Sequence, residues 1–321
     1  GFLSLIDTGL ARGLRLKAKG STNVVGIGGS ATLPVFVASD VVIGGGLHQS
    51  SLMFAGMERG FTGSVRGTLA AGVLTSRDSD LDFGAGEWRV YPQGRPERIG
   101  FVRMANGIVA SRDGSAKLFA EASVNGRPLR FLIDTGAPGA LSLHEGAARA
   151  LGLWDDNRPF APQRTSGVGG RGGLGRLVRA ESIEFAGRRF DKPMILLRQD
   201  GSGSGVDGII GLNMLRGFNL STEVATRTLW VQPQGAPLPL RSDHSRSGLW
   251  LEERGRQVRV AEVGTGSPAA AAGIRRGDVI EGQSFRALLN EISKPSGSKA
   301  TLEILRDGKR QTMTFVLADY L

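Results

Sequence analysis

Two stretches of this 321-residue chain repeat one another, and the repetition restricts the fold more than any other feature. "LSLIDTG" at Leu3 to Gly9 reads like "RFLIDTG" at Arg130 to Gly136, 127 positions later. Further on, "VVGIGG" ending at Gly29 matches "TSGVGG" ending at Gly170, and "DSDLDFGAGEWRV" from Asp78 lies over "NLSTEVATRTLWV" from Asn219, both 141 positions apart. Three landmarks in one order imply a duplicated half made of an apolar strand, Asp-Thr-Gly, a Gly-rich hairpin, further strands and a closing strand pair. The offset grows by 14 after the first landmark, so the first copy is expected to be shorter between Asp7 and Gly26. A chain break is expected shortly after Gly9, and another near Gly282. Gly1-Phe2-Leu3 runs straight into a motif, so a leader and a first strand are expected ahead of it.

Local signals point to strands. The 49 glycines and 13 prolines separate short apolar runs, the pattern of turns between strands rather than of helical bundles. Asn125-Gly126 stands between two alternating runs and predicts a tight hairpin. Ala147 to Leu153 predicts a short helix after the second Asp-Thr-Gly. The expected division is 1–94 for the first half, 95–118 for a connection, 119–233 for the second half, 234–247 for a linker and 248–321 for a separate small domain. In that last domain an amphipathic helix is expected from Ser284, with Phe285, Leu288, Leu289 and Ile292 at helical spacing, and a hairpin at Asp307-Gly308.

Other chemistries fit poorly. The net charge of +10 is spread along the chain rather than clustered with aromatics, so no nucleic-acid partner is expected. No apolar run is long enough for a membrane span. Without cysteine there is no thiol nucleophile or thiolate site. His144-Glu145 opens a helical zinc motif, but the residue four after His144 is Ala148, so no metal is expected. The Gly-rich runs come near a dinucleotide fingerprint, yet the first is followed by the strand-like Thr32 to Val37 and the second has no strand before it. No cofactor is expected.

One Asp-Thr-Gly is an ordinary turn. Two in matching contexts predict a pair of carboxylates, Asp7 and Asp134, that share one proton and act together as base and acid. Thr8, Gly9, Thr135 and Gly136 would support the two loops, with glycine allowing close approach of the backbones.

"LIDTG", the downstream "GIGG" and "GIIGLNML" at Gly208 to Leu215 together resemble the retropepsin-like aspartic proteases, in a bacterial arrangement of two tandem half-domains covering about Gly1 to Pro233. The resemblance implies a mainly β, bilobal pepsin/retropepsin-like acid protease fold. It also implies an aspartic endopeptidase in which Asp7 and Asp134 activate a water against a peptide carbonyl. Its flap tips would be Ile27 with Gly28 and Val168 with Gly169, and Ile209, Ile210 and Gly211 would underlie the active loop. The first copy departs from the pattern, with Thr68, Leu69 and Ala70 at that element and Leu10 where the family usually has Ala or Ser.

The tail, through "GSPAAAAGIRRGDVI", resembles a small α+β PDZ domain of the bacterial protease-associated kind. Gly248, Leu249, Trp250 and Leu251 would then form a loop for the C-terminal carboxylate of a peptide ligand. The implied partners are protein or peptide substrates, and the implied setting is periplasmic or secreted. The alternative is a catalytically silent peptide-binding or scaffold protein with a degenerate first half.

Overall fold

The structure is a computed structural model that describes residues 3–26, 29–58, 60–61, 63–110, 116–167, 169–199, 205–236, 238–240, 243–255 and 257–321. It is mainly β, as the turn-rich composition implies, with its strands in four sheets.

The first sheet begins with β1 (Leu5–Asp7), which runs directly into helix α1 (Thr8–Gly13). A long hairpin follows, β2 (Lys17–Gly26) and β3 (Gly29–Ile43), then β4 (Leu47–Met57), the two-residue β5 (Gly67–Thr68) and helix α2 (Ala71–Leu74). The strand order is β2-β3-β4-β1-β5, with β1 parallel to β4 and antiparallel to β5. Its own core is small: Ile6, Ala11 and Phe36 are buried together, with Leu16 and Phe54 against them.

The chain next lays down β6 (Asp78–Asp82), β7 (Glu87–Tyr91), β8 (Val102–Met104) and β9 (Ile108–Ala110). The second half contains β10 (Ala116–Val124), β11 (Arg127–Asp134), β12 (Leu141–His144) and helix α3 (Glu145–Ala150). It continues through β13 (Ala161–Gly167), β14 (Gly170–Arg179), β15 (Ser182–Phe185), β16 (Arg188–Asp191), β17 (Met194–Arg198) and β18 (Gly208–Gly211). Helix α4 (Leu212–Leu215), β19 (Phe218–Glu223) and β20 (Thr228–Pro233) close it. Asn125 and Gly126 turn β10 into β11 with φ of 51° and 79°, the paired positive values a two-residue hairpin needs. The large core lies here, around the fully buried Phe131, Leu143, Ile195, Leu197, Ile210 and Phe218. Each such side chain stabilises the fold by about 1.5–3 kcal/mol through burial.

The halves join in a shared sheet of order β7-β6-β19-β20-β8. At its centre β6 and β19 run antiparallel, pairing Leu81 with Leu220 and Ser79 with Thr222. Exchanging the halves at the 141-residue offset maps one of these pairs onto the other, so a local two-fold passes between the strands. The described part of the connection, 95–110 and 116–118, is tied down: β8 pairs with β20, β9 pairs with β10, and Arg95 and Arg98 hold Asp80 and Asp78 at 2.7 and 2.8 Å.

The C-terminal unit contains β21 (Leu249–Arg254), β22 (Gln257–Val263), helix α5 (Pro268–Ala271), β23 (Val279–Glu281), helix α6 (Phe285–Ile292), β24 (Lys299–Arg306) and β25 (Lys309–Val316) around a core of its own. Ser284 caps α6 by accepting from the Ala287 N–H, and Asp307-Gly308 turns β24 into β25 with φ of 51° and 74°. Gly282, at φ 78°, carries the chain from β23 towards the cap of α6. The unit docks on β13 and its approach, where Tyr320 Oη donates to the Phe160 carbonyl at 2.9 Å and Arg164 pairs with Glu252.

Candidate active site

Asp134 ends β11, which lies parallel to β18 with Asp134 opposite Gly211. Beyond the strand the chain turns sharply: the Gly136 N–H donates to Asp134 Oδ1 at 3.0 Å and the Ala137 N–H to the Asp134 carbonyl at 3.0 Å. The loop is seated on the start of α4, where Leu212 and Asn213 donate backbone N–H groups to the carbonyls of Ala137 and Gly139. Gly211 permits that seat, because a Cβ there would lie 2.3 Å from the Gly139 carbonyl oxygen and 2.7 Å from that of Ala137. Asp207, which sequence reasoning missed, fixes the strand below: its Oδ2 accepts from the Arg130 N–H at 2.8 Å and its own N–H donates to the Arg130 carbonyl at 2.7 Å. The result is a half-exposed carboxylate on a braced loop, with Thr135 and Gly136 exposed beside it.

Asp7 is placed differently, and this corrects the sequence pairing. It is the N-cap of α1, its Oδ1 accepting from the Leu10 N–H at 2.8 Å. Its register partner is not that of Asp134. Asp7 stands opposite Met57 as His144 stands opposite Arg198, and Ile6 opposite Gly67 as Leu143 stands opposite Gly208. The Asp7 N–H donates to the Arg66 carbonyl at 2.8 Å just as the His144 N–H donates to that of Asp207 at 2.8 Å. Each of these pairs carries the 141 offset on one strand and 137 on the other. Asp7 is therefore the counterpart of His144, and α1 that of α3, with Ala11 and Ala148 both fully buried beneath.

Thr8 and Gly9 consequently open a helix rather than support a catalytic loop. Thr8 is 3% exposed and its hydroxyl has no partner among the described residues. The expected 14-residue deficit disappears as well. The two offsets differ by four, spent between α3 and β13, and the residues after Gly9 continue helix α1 to Gly13. The signal was present in the chain, since Gly9, Ala11, Arg12, Leu14 and Leu16 match Gly146, Ala148, Arg149, Leu151 and Leu153 at 137.

Of the expected flap tips, Ile27, Gly28 and Val168 lie outside the described residues. The strands on either side form hairpins, with Gly26 opposite Gly29 and Gly167 opposite Gly170. Gly169, at φ 95°, meets Gly29 backbone to backbone: a Cβ on Gly169 would come 2.4 Å from the Gly29 carbonyl oxygen. The hairpins thus touch across the two halves.

Of the expected loop Gly248, Leu249, Trp250 and Leu251, the first two N–H groups are bonded within the chain. The Gly248 N–H donates to the Ser245 carbonyl at 3.2 Å and the Leu249 N–H to Ser247 Oγ at 3.1 Å. Leu249 and Leu251 are buried in the C-terminal core, while Trp250 faces Arg164 of β13 at 5.9 Å.

Residues 120–214 match the family model Asp_protease_2, described as aspartyl protease. That stretch, which includes β11, Asp134 and α4, is therefore similar to aspartic proteases. No curated protein matches the chain. Among solved structures, a retropepsin-like aspartic protease from Rickettsia conorii is 20% identical over 41% of this chain and 89% of that chain, with a TM-score of 0.29. The retroviral protease-like domain of Ddi1 from Leishmania major is 20% identical over 31% of this chain and 71% of that chain, with a TM-score of 0.21.

Proposed function

We propose that the chain is an aspartic endopeptidase, hydrolysing peptide bonds of protein substrates, with Asp134 as one carboxylate of its dyad. The observation that carries the reading is the Asp134 loop, a carboxylate held by the Gly136 N–H above the Gly211 seat within a stretch similar to aspartic proteases. In this chemistry two carboxyl groups share one proton, the state for which aspartic proteases are the standard case. The ionised member takes a proton from water as the water oxygen bonds to the peptide carbonyl carbon, and the protonated member donates to the carbonyl oxygen. The tetrahedral intermediate then collapses, the C–N bond breaks and a proton passes to the leaving nitrogen. No metal or organic cofactor takes part. The touching hairpins would lie over the bound peptide. The C-terminal unit, on its PDZ-like reading, would position substrate or partner, with β21 as an edge strand. The proposed setting is periplasmic or secreted, on family resemblance alone.

Hydrolysis of an unfolded protein, followed as new amino termini, tests the reading. Asp134→Asn is expected to remove about 10²–10⁴ of the rate, and the rate of the unchanged protein is expected to be bell-shaped in pH, since the dyad works with one proton. Equal cleavage by both forms, with contaminating proteases excluded, would overturn the reading.

A second reading, peptide binding without hydrolysis, draws on the capping role of Asp7. Among the described residues of the first sheet no carboxylate stands on a loop like that of Asp134. Under this reading a peptide binds the chain and no new termini appear.

A further inference from the structure

One arginine ties the C-terminal unit to the Gly-rich hairpin of the second half. Strands β13 and β14 pair regularly from Ala161 with Leu177 to Arg164 with Leu174, and pair again at Ser166 with Arg171. Between those pairs Thr165 alone stands against Gly172 and Gly173, a bulge of the kind that bends a hairpin and breaks its ladder. Arg164 sits at that bend. Its Nη1 donates to the Gly172 carbonyl at 3.0 Å, and its Nη2 pairs with Glu252 of β21, where the guanidinium also lies 5.9 Å from the centre of the Trp250 ring. The two charged side chains are 23% and 25% exposed, so solvent and salt screen the pair only in part.

The C-terminal unit holds this hairpin at its base and at its bend, while the tip rests on the first half. At the base the Phe160 N–H donates to the Thr265 carbonyl at 3.2 Å, Tyr320 Oη donates to the Phe160 carbonyl at 2.9 Å, and Tyr320 packs against the buried Ala161, Leu177 and Met194. At the tip Gly169 meets Gly29. The first-half hairpin is tied differently at the same place. Asn23, the counterpart of Arg164 at the 141 offset, pairs with Thr32 inside its own hairpin: Thr32 Oγ1 donates to Asn23 Oδ1 at 2.7 Å, and the ladder runs unshifted from there to Gly26 and Gly29.

We propose that Arg164 is a positioning residue through which the C-terminal unit, by Glu252 and Trp250, sets the β13–β14 hairpin where its tip meets Gly29. The effect on the reaction rests on the protease reading, under which the hairpin lies over the bound peptide; the clamp itself does not. A two-stranded ribbon bent at two glycines has little stiffness of its own. A bulge also leaves backbone groups outside the ladder, and such groups need a partner. The planar guanidinium meets both needs, donating to Gly172 at the bend while its other arm is anchored in a body already fixed at Phe160. The C-terminal unit thereby regulates the hairpin: it is poised while Glu252 holds Arg164 and swings about the bulge once Arg164 is released.

The test compares Arg164→Gln, Glu252→Gln and the double variant with the unchanged protein. Amide exchange at Gly167 and Gly170, which pair across the turn, reads the hairpin, and exchange at Phe160 reads whether the unit stays docked. Each single variant is expected to quicken the hairpin amides about tenfold and to leave Phe160 within about twofold. The double variant is expected to match the singles, because both break one clamp. With an unfolded protein as substrate, KM is expected to rise about three- to tenfold while kcat holds within about twofold, a loss of substrate holding rather than of chemistry. Quickened hairpin amides with no hydrolysis by any form, the unchanged protein included, would uphold the clamp and defeat the protease reading. Unchanged hairpin exchange in both single variants would overturn the proposal. So would equal quickening at Phe160, the sign of general undocking, or additive effects in the double variant, the sign of two independent contacts.

Discussion

Asp7 and His144 occupy one position of the repeat: each ends its strand, stands at the N-cap position of the following helix, and donates its backbone N–H to the carbonyl of the residue that precedes the Gly67 or Gly208 strand, although only Asp7 caps with its side chain. One oxygen of the Asp7 carboxylate accepts from the Leu10 N–H, and the other lies 3.9 Å from the Arg66 guanidinium. Asp7→Ala is therefore expected to cost about 1 kcal/mol, and Asp7→Ser only a few tenths, since serine caps nearly as well. Denaturant unfolding of the two variants checks this.

Leu69 and Ile210 give a second contrast at equivalent positions. Ile210→Ala removes a fully buried side chain and is expected to cost about 2–5 kcal/mol. Leu69→Ala removes a half-exposed one and is expected to stay within about 0.5 kcal/mol. Equal losses would mean that Leu69 is covered in solution by something else.

Much of this was legible in the chain. Asn125-Gly126 and Asp307-Gly308 gave their hairpins because their turn type needs two positive φ values, and Ser284 announced the helix it caps. The 141 offset located the Gly-rich hairpins and the closing strand pairs because both strands of each pair moved together, but not the sheet in which the two closing pairs join. The Asp-Thr-Gly at Asp7 misled because an N-cap and a catalytic turn select the same residues: Asp accepts backbone N–H groups in either, and Gly fits both. Only pairing register separates them, and register is a tertiary property. The turn at Ala186-Gly187, with φ of 48° and 78°, was also hidden, since alanine gives no turn signal. The self-satisfied N–H groups of Gly248 and Leu249 depend on Ser245 and Ser247, whose role appears only once the loop is folded.

Gly211→Ala tests the seat of the Asp134 loop. Its Cβ meets two backbone carbonyls at 2.3 and 2.7 Å, contacts that no side-chain rotation relieves, so a loss of about 1–3 kcal/mol is expected. Amide exchange at Gly136, whose N–H holds Asp134, should quicken. Unaltered exchange there would show the loop to be held by other means.

Acid should loosen the C-terminal unit through Asp278. Burial pushes this carboxyl's pKa up, but Arg306 and the Arg275 N–H outweigh it and hold the pKa below the ordinary 3.8. The contribution is complete above that value and is lost as pH falls from it through the depressed folded-state value. Asp278→Asn, which takes the carboxylate from Arg306 and leaves it only its bond to the Gly273 carbonyl, is expected to cost on the order of 3 kcal/mol near neutrality and to flatten this acid limb. An acid limb of unchanged steepness would place the titrating group elsewhere.

The most direct measurement compares hydrolysis of an unfolded protein by the chain with that by its Asp134→Asn and Asp7→Asn forms. Asp134→Asn should abolish the new amino termini while Asp7→Asn leaves their rate within about twofold, since a cap has no part in the reaction. Loss of hydrolysis in Asp7→Asn with a folded protein, or its survival in Asp134→Asn, would contradict the account.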